Sequence, residues 1–190
     1  LSSELLGQIP TSIILAAPAI ENAVGMKLKL IPTGSYQVDP SSVSEDEHSP
    51  FKVPRLYYMG THEVSAQQFE SLMGESRSRS SAAASDTAAI ATWDQAVEFC
   101  QLLSDLPEEK AARRRYRLPT ETEWENSCRA GSSTRYSFSD DAEQLGEYAW
   151  FQGNSESLYP NNVGLKLPNQ WGFHDMYGNV REWVADFLGS

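Results

Sequence analysis

The stretch Pro168-Asn169-Gln170-Trp171-Gly172-Phe173-His174-Asp175-Met176-Tyr177-Gly178-Asn179-Val180-Arg181-Glu182-Trp183 decides how this chain is read. It sets aromatics, glycines, turn amides and the carboxylates Asp175 and Glu182 into a spacing that core-building alone does not require. Such a stretch reads as an ordered, oxygen-rich loop. Its spacing differs from that of a helix-loop-helix calcium site, so residue types alone do not name a ligand for it.

Outward from that loop, composition bounds the answer. A chain of 190 residues with 40% hydrophobic content can bury one sizeable core. Its 15 basic against 26 acidic side chains leave a net charge of -11, which argues against nucleic acid as a partner. The basic cluster Lys110, Arg113, Arg114, Arg115 and Arg117 sits beside Glu108 and Glu109 and reads as a solvated helix end. Two cysteines, Cys100 and Cys128, are too few for a disulfide framework or a zinc site. No apolar run approaches the ~20 residues of a membrane span. The apolar segment Ile13 to Ile20 is broken by Pro18 and preceded by no Lys or Arg, so it makes no convincing signal peptide, and localisation stays open. Residues 1–22 read as a linker or leading segment, and 23–190 as one domain.

The pattern along the chain is α+β. Met26, Leu28 and Leu30 alternate with lysines as in a half-buried strand, and Pro32-Thr33-Gly34 predicts a hairpin turn returning through Ser35 to Val38. Asp39 to Pro50 is a polar acidic loop, and Phe51 to Glu63 is again extended. Three helices each carry a capping box: Ser65 with Gln68, Thr92 with Gln95, and Thr120 with Glu123. Glu75 to Ala89 is a Ser- and Ala-rich surface loop. Tyr136, Phe138, Tyr148, Trp150 and Phe151 show no helical period and predict irregular structure pinned by aromatics.

The ordered motifs resemble one family. Ile31-Pro32-Thr33-Gly34, Glu63-Val64, Trp93 to Cys100, Arg117-Leu118-Pro119-Thr120-Glu121-Thr122-Glu123-Trp124-Glu125, Cys128-Arg129-Ala130-Gly131 and Gly178-Asn179-Val180-Arg181-Glu182-Trp183 are similar to the sulfatase-modifying factors, the family of formylglycine-generating enzymes. The resemblance covers about Ala23 to Phe187. It implies a loop-rich C-type-lectin-like fold of the formylglycine-generating enzyme type, with little regular secondary structure. It also implies a protein client such as a sulfatase, whose cysteine such enzymes oxidise with molecular oxygen using two copper(I)-binding cysteines.

Those cysteines belong to a section beyond the Asn-Val-x-Glu-Trp motif, after an Arg-Gly-Gly-Ser-Trp sequence, so the domain reads as lacking its C-terminal section, with copper confined there and no catalytic residue in this chain. Cys100 and Cys128 do not match the catalytic pair and read as buried, inert, unpaired thiols. The closing loop is where the resemblance does carry a site. It implies a structural calcium ion held by the side chains of Asp175 and Glu182 and the carbonyls of Gly178 and Val180, the hard oxygen donors calcium prefers. Arg181 departs from the family, which usually has an aromatic there. Capping and the helix dipole explain Glu123 and Glu121 without a site. His48, His62 and His174 lack zinc-helix spacing. The alternatives to an oxidase fragment are a non-catalytic lectin-like binding module and an accessory domain of a larger bacterial protein. Trp171, Trp183 and Phe187 are expected to lack cover.

Overall fold

The computed structural model describes residues 11–36, 51–74, 86–155 and 160–186. A short helix, α1 (Thr11–Ala16), precedes strand β1 (Ile20–Glu21), which pairs antiparallel with β2 (Lys27–Ile31). Strand β3 (Gly34–Tyr36) pairs with β4 (Phe51–Val53), and β5 (Tyr57–Gly60) returns to the far edge of β2. Helices α2 (Ala66–Met73), α3 (Trp93–Asp105), α4 (Pro107–Ala111) and α5 (Glu121–Arg129) follow, and the short α6 (Leu145–Tyr148) continues a 3-10 turn at Ala142–Gln144.

The hairpin expected between Met26–Leu30 and Ser35–Val38 does not form. Both edges of β2 are occupied, by β1 and by β5 with Leu28 opposite Gly60 and Ile31 opposite Tyr57, so the chain after Pro32 makes a separate two-stranded sheet with β4. A turn signal marks where a strand ends but not which strand it joins. Gln37, Val38, the whole acidic loop from Asp39 to Pro50 and residues 75–85 of the Ser/Ala-rich loop lie outside the described residues.

All three capping boxes are present. Each hydroxyl accepts from the N3 backbone: Ser65 from Gln68 at 3.3 Å, Thr92 from Gln95 at 3.3 Å, Thr120 from Glu123 at 3.2 Å. The reciprocal bonds run back at 3.0, 2.9 and 2.9 Å. Helix α4 starts on Pro107, which presets the first helical turn; no capping box announces it in the sequence because Leu106 offers no side-chain cap.

The basic cluster is not simply solvated. Glu109 is wholly buried and accepts from Arg114 Nε (2.5 Å), Arg114 Nη2 (3.0 Å), the Tyr116 hydroxyl (2.6 Å) and Ala23 N (2.7 Å). A buried carboxylate needs such partners, so part of the cluster is consumed inside the fold, where it ties α4 to the chain after β1. Arg117 likewise forks onto Glu123 at 2.6 and 2.7 Å.

Two apolar clusters hold the elements together. Ile31, Cys128, Ala130, Trp171, Phe173 and Met176 form one; Phe69, Met73, Phe99 and Leu103 form the other, with Phe69 and Phe99 stacked at 5.7 Å. Trp171 therefore has cover after all, whereas Trp183 stays 49% exposed; Phe187 lies outside the described residues. Tyr136, Phe138 and Tyr148 stack in series with Tyr177 edge-on, the aromatic pinning expected of that region, although the stretch also contains the turns at 142–148.

Candidate metal-binding loop

Asn169 builds the approach to the closing loop. Its Oδ1 accepts from Trp171 N (3.0 Å) and Phe173 N (3.1 Å), and its Nδ2 donates to the carbonyls of Ser127 (2.7 Å) and Cys128 (3.2 Å). One side chain thus closes a turn and docks it on the end of α5. His174 N then donates to Thr61 O at 2.8 Å, which sets the following Asp175 beside the segment carrying Glu63.

The loop is unusual in its backbone. Asp175 and Asn179 hold φ of +60° and +64°, a left-handed conformation that short polar side chains tolerate best. Gly178 N returns to Asp175 O at 3.1 Å and Asn179 N donates to Trp150 O at 2.9 Å. The Asn179 side chain is locked by Asn161 N (2.9 Å) and Asn161 O (3.3 Å).

Inside this frame three acidic groups influence one another. Asp175 is 1% exposed; its Oδ2 accepts from Gly164 N at 2.7 Å, but Oδ1 has no hydrogen-bond partner among the described residues. Glu63 is 9% exposed and neither of its carboxylate oxygens is satisfied. Burial, then the charges of Glu182 and Asp175, push the Glu63 carboxyl well above the usual range. Burial likewise raises Asp175, opposed by the Gly164 N–H, by His174 and by a hydrogen bond that a protonated Glu63 can donate to it, although no Glu63–Asp175 contact has good hydrogen-bond geometry. Glu182 is raised to about 7 by burial, with Asp175 adding to the rise and the nearby Trp124 indole opposing it, although the Trp124 N–H makes no hydrogen bond of good geometry. An unpaired buried carboxylate is costly, and Glu63 and Asp175, with Glu182 near them, form a site of negative potential with free oxygens on the first two.

Of the four residues singled out from the sequence, Asp175 and Gly178 meet in one turn, and Glu182 couples electrostatically to Asp175. The carbonyls of Gly178 and Val180 take no backbone hydrogen bond among the described residues. Glu63 was missed. It sits over a hundred residues earlier, and only the pairing of His174 with Thr61 brings it in; the Glu63-Val64 motif was the available signal. Among the described residues no three His, Cys, Asp or Glu side chains converge closely enough to hold a metal ion by themselves. A cation here would therefore draw on backbone oxygen too, which is the donor mixture of calcium rather than zinc.

Two histidines border this site: His62 Nδ1 bonds with Glu63 O (2.7 Å) and His174 Nδ1 with Lys166 O (2.8 Å), and both lie close enough to Asp175 to influence it. His48 lies outside the described residues. Cys128 is buried in the first core cluster, its thiol 3.7 Å from Met176 O, while Cys100 is partly exposed on α3; both are free. Burial pushes their thiols up to about 12 and about 11. Neither lines the cavity of about 230 Å³ bounded by His62, Ser65, Gln68, Asp86, Asn162, Val163 and Leu165.

Residues 21–190 match the family model described as the sulfatase-modifying factor enzyme 1-like domain. The chain belongs to that family. It is 26% identical to the chaperone protein LppX of Paenibacillus barcinonensis over 84% of this chain and 71% of that protein. It is 29% identical to the formylglycine-generating enzyme of Mus musculus over 50% of this chain, but spans only 26% of the enzyme. The structure of PvdO from Pseudomonas aeruginosa superposes with a TM-score of 0.72 at 22% identity, covering 90% of this chain and 75% of that one. That likeness establishes the fold: a mixed α/β sulfatase-modifying-factor architecture poor in regular structure. No helix among the described residues is long and apolar enough to cross a membrane.

Proposed function

We propose that these residues form the cation-stabilised frame of a sulfatase-modifying-factor domain, with Asp175, Glu182 and the carbonyls of Gly178 and Val180 holding a structural calcium ion and Glu63 adding its negative charge beside them. The observation that carries this reading is the group of orphaned carboxylate oxygens on Glu63 and Asp175, which share their surroundings with Glu182. Among the described residues no lysine or arginine, Arg181 of the loop included, makes an ion pair with these carboxylates; a divalent cation supplies that charge and lowers all three pKa values. Its role is to close the loop.

Thiol chemistry is not assigned to Cys100 or Cys128. A nucleophilic or copper-binding cysteine needs an accessible thiolate, and burial disfavours the thiolate at both positions. Oxidation of a sulfatase cysteine, if the protein performs it, is done by other residues. The inert thiols equally favour a second reading, a non-catalytic lectin-like binding or accessory module built on the same frame.

The test is thermal unfolding with and without calcium. Calcium should raise Tm, and Glu182→Ala should abolish the rise; an unchanged curve for the unsubstituted chain would remove the site. This chain, given copper(I), oxygen and a sulfatase-derived cysteine peptide, should form no aldehyde.

A further inference from the structure

The loop after Gly164 inverts the usual order of a protein surface. Leu165 is 65% exposed and Leu167 49%, while Lys166 between them turns inward. Its ammonium donates to Gly146 O at 2.6 Å and lies 4.0 Å from the centre of the Trp150 ring. A lysine that only needed solvation would project outward and let the leucines pack. Here the cation–π and carbonyl contacts consume the charge, and Leu167 N is pinned to Glu147 O at 2.9 Å, so both leucines are held in water. The fold thereby spends interactions on keeping apolar groups exposed, which is the mark of a contact surface.

The surroundings of the two leucines are acidic. Glu147, bonded through its carbonyl to Leu167, and Glu143, four residues before it in the helical turns at 142–148, are both exposed. The ion pairs made among the described residues involve other acids. On the other side, Leu165 forms one wall of the 230 Å³ cavity, whose polar lining includes the exposed Asp86 and the half-buried Asn162. That volume suits one long side chain, and its charge suits a cation.

We infer that the Leu165–Leu167 loop, flanked by Glu143 and Glu147 and by the Asp86 cavity, docks a polypeptide segment that carries leucine-like side chains interspersed with arginine or lysine. Apolar contact with the two leucines supplies affinity, and the acidic flanks supply register and exclude acidic segments. This surface is independent of the proposed calcium loop and does not require it.

Fluorescence anisotropy on the full chain tests the assignment with a labelled twelve-residue peptide holding three leucines and three arginines in a Gly/Ser background. The peptide should bind saturably, and Leu165→Ser with Leu167→Ser should weaken it about tenfold or more, as truncating central apolar anchors does. Glu143→Gln with Glu147→Gln should weaken it and flatten its salt dependence. Leu102→Ser, at an exposed leucine on α3, should leave it unchanged. The same peptide with glutamates in place of arginines should not bind. The assignment is overturned by absence of saturable binding, by affinity undiminished from that of the unsubstituted chain in both double variants, or by a peptide-independent dimer that the leucine variant dissolves, which would make a second copy of the chain the occupant.

Discussion

Gly178 lies so close to the backbone of Trp150 that a Cβ on it would fall on the Trp150 carbonyl oxygen. The neighbouring Asn179 N–H donates to that same oxygen, so the loop and the Trp150 segment are stitched at a point where only glycine fits. Gly178→Ala should therefore cost about 3 kcal/mol, the upper end for overpacking, because a backbone atom cannot rotate aside. Gly146→Ala, whose Cβ would meet only the Asn154 side chain at 3.7 Å, is the control and should be near neutral. Urea unfolding of both variants checks this; equal stabilities would contradict it.

The three carboxylates make metal-free stability fall as pH rises. Glu63, Asp175 and Glu182 hold their protons more tightly folded than unfolded, Glu182 up to about 7 and Glu63 further. Between the ordinary carboxylate range and those values the folded state binds more protons than the unfolded state, so each step up in pH favours unfolding. Chelated protein should thus have a lower Tm at pH 8 than at pH 5.5. Glu63→Gln should flatten the slope, and saturating calcium should reverse it. A chelated protein that gains stability from pH 5.5 to pH 8 would contradict the assignment.

Glu109→Ala should be among the most damaging substitutions outside the loop. It strands the Arg114 charge and leaves Tyr116 and Ala23 N without their acceptor, and breaking a buried pair costs about 3–5 kcal/mol. By contrast Thr120→Ala removes one cap at about 1 kcal/mol. Denaturant midpoints should rank the two clearly; similar losses would mean Glu109 is better solvated than its geometry indicates.

Both thiols should resist modification in the native state. At pH 8 a disulfide reagent should label Cys100 and Cys128 slowly, and only global unfolding should release both. Rapid labelling of either would return it to consideration as a reactive group.

What the sequence made legible follows from distance along the chain. Capping boxes are local, three residues wide, and Ser65, Thr92 and Thr120 were readable from their own neighbourhoods. The motif run from Arg117 to Gly131 and the closing loop were readable by resemblance. Strand pairing was not: Pro32-Thr33-Gly34 looks like a hairpin turn, but β2 finds β5 across a long insertion, a choice made by burial of Leu28 and Ile31 rather than by turn chemistry. Glu109 hid among charges that looked solvated, since its burial depends on Ala23 and Tyr116 arriving from elsewhere. Glu63 escaped notice for the same reason, being joined to the loop only through the Thr61–His174 backbone bond.

Equilibrium dialysis of the chelated chain against calcium addresses the central claim most directly. One ion should bind per chain, and Glu63→Gln and Glu182→Ala should each weaken that binding without unfolding the domain, as judged by circular dichroism. Binding of no ion by the folded chain, or of one ion with undiminished affinity in both variants, would contradict the assignment of these carboxylates to a cation.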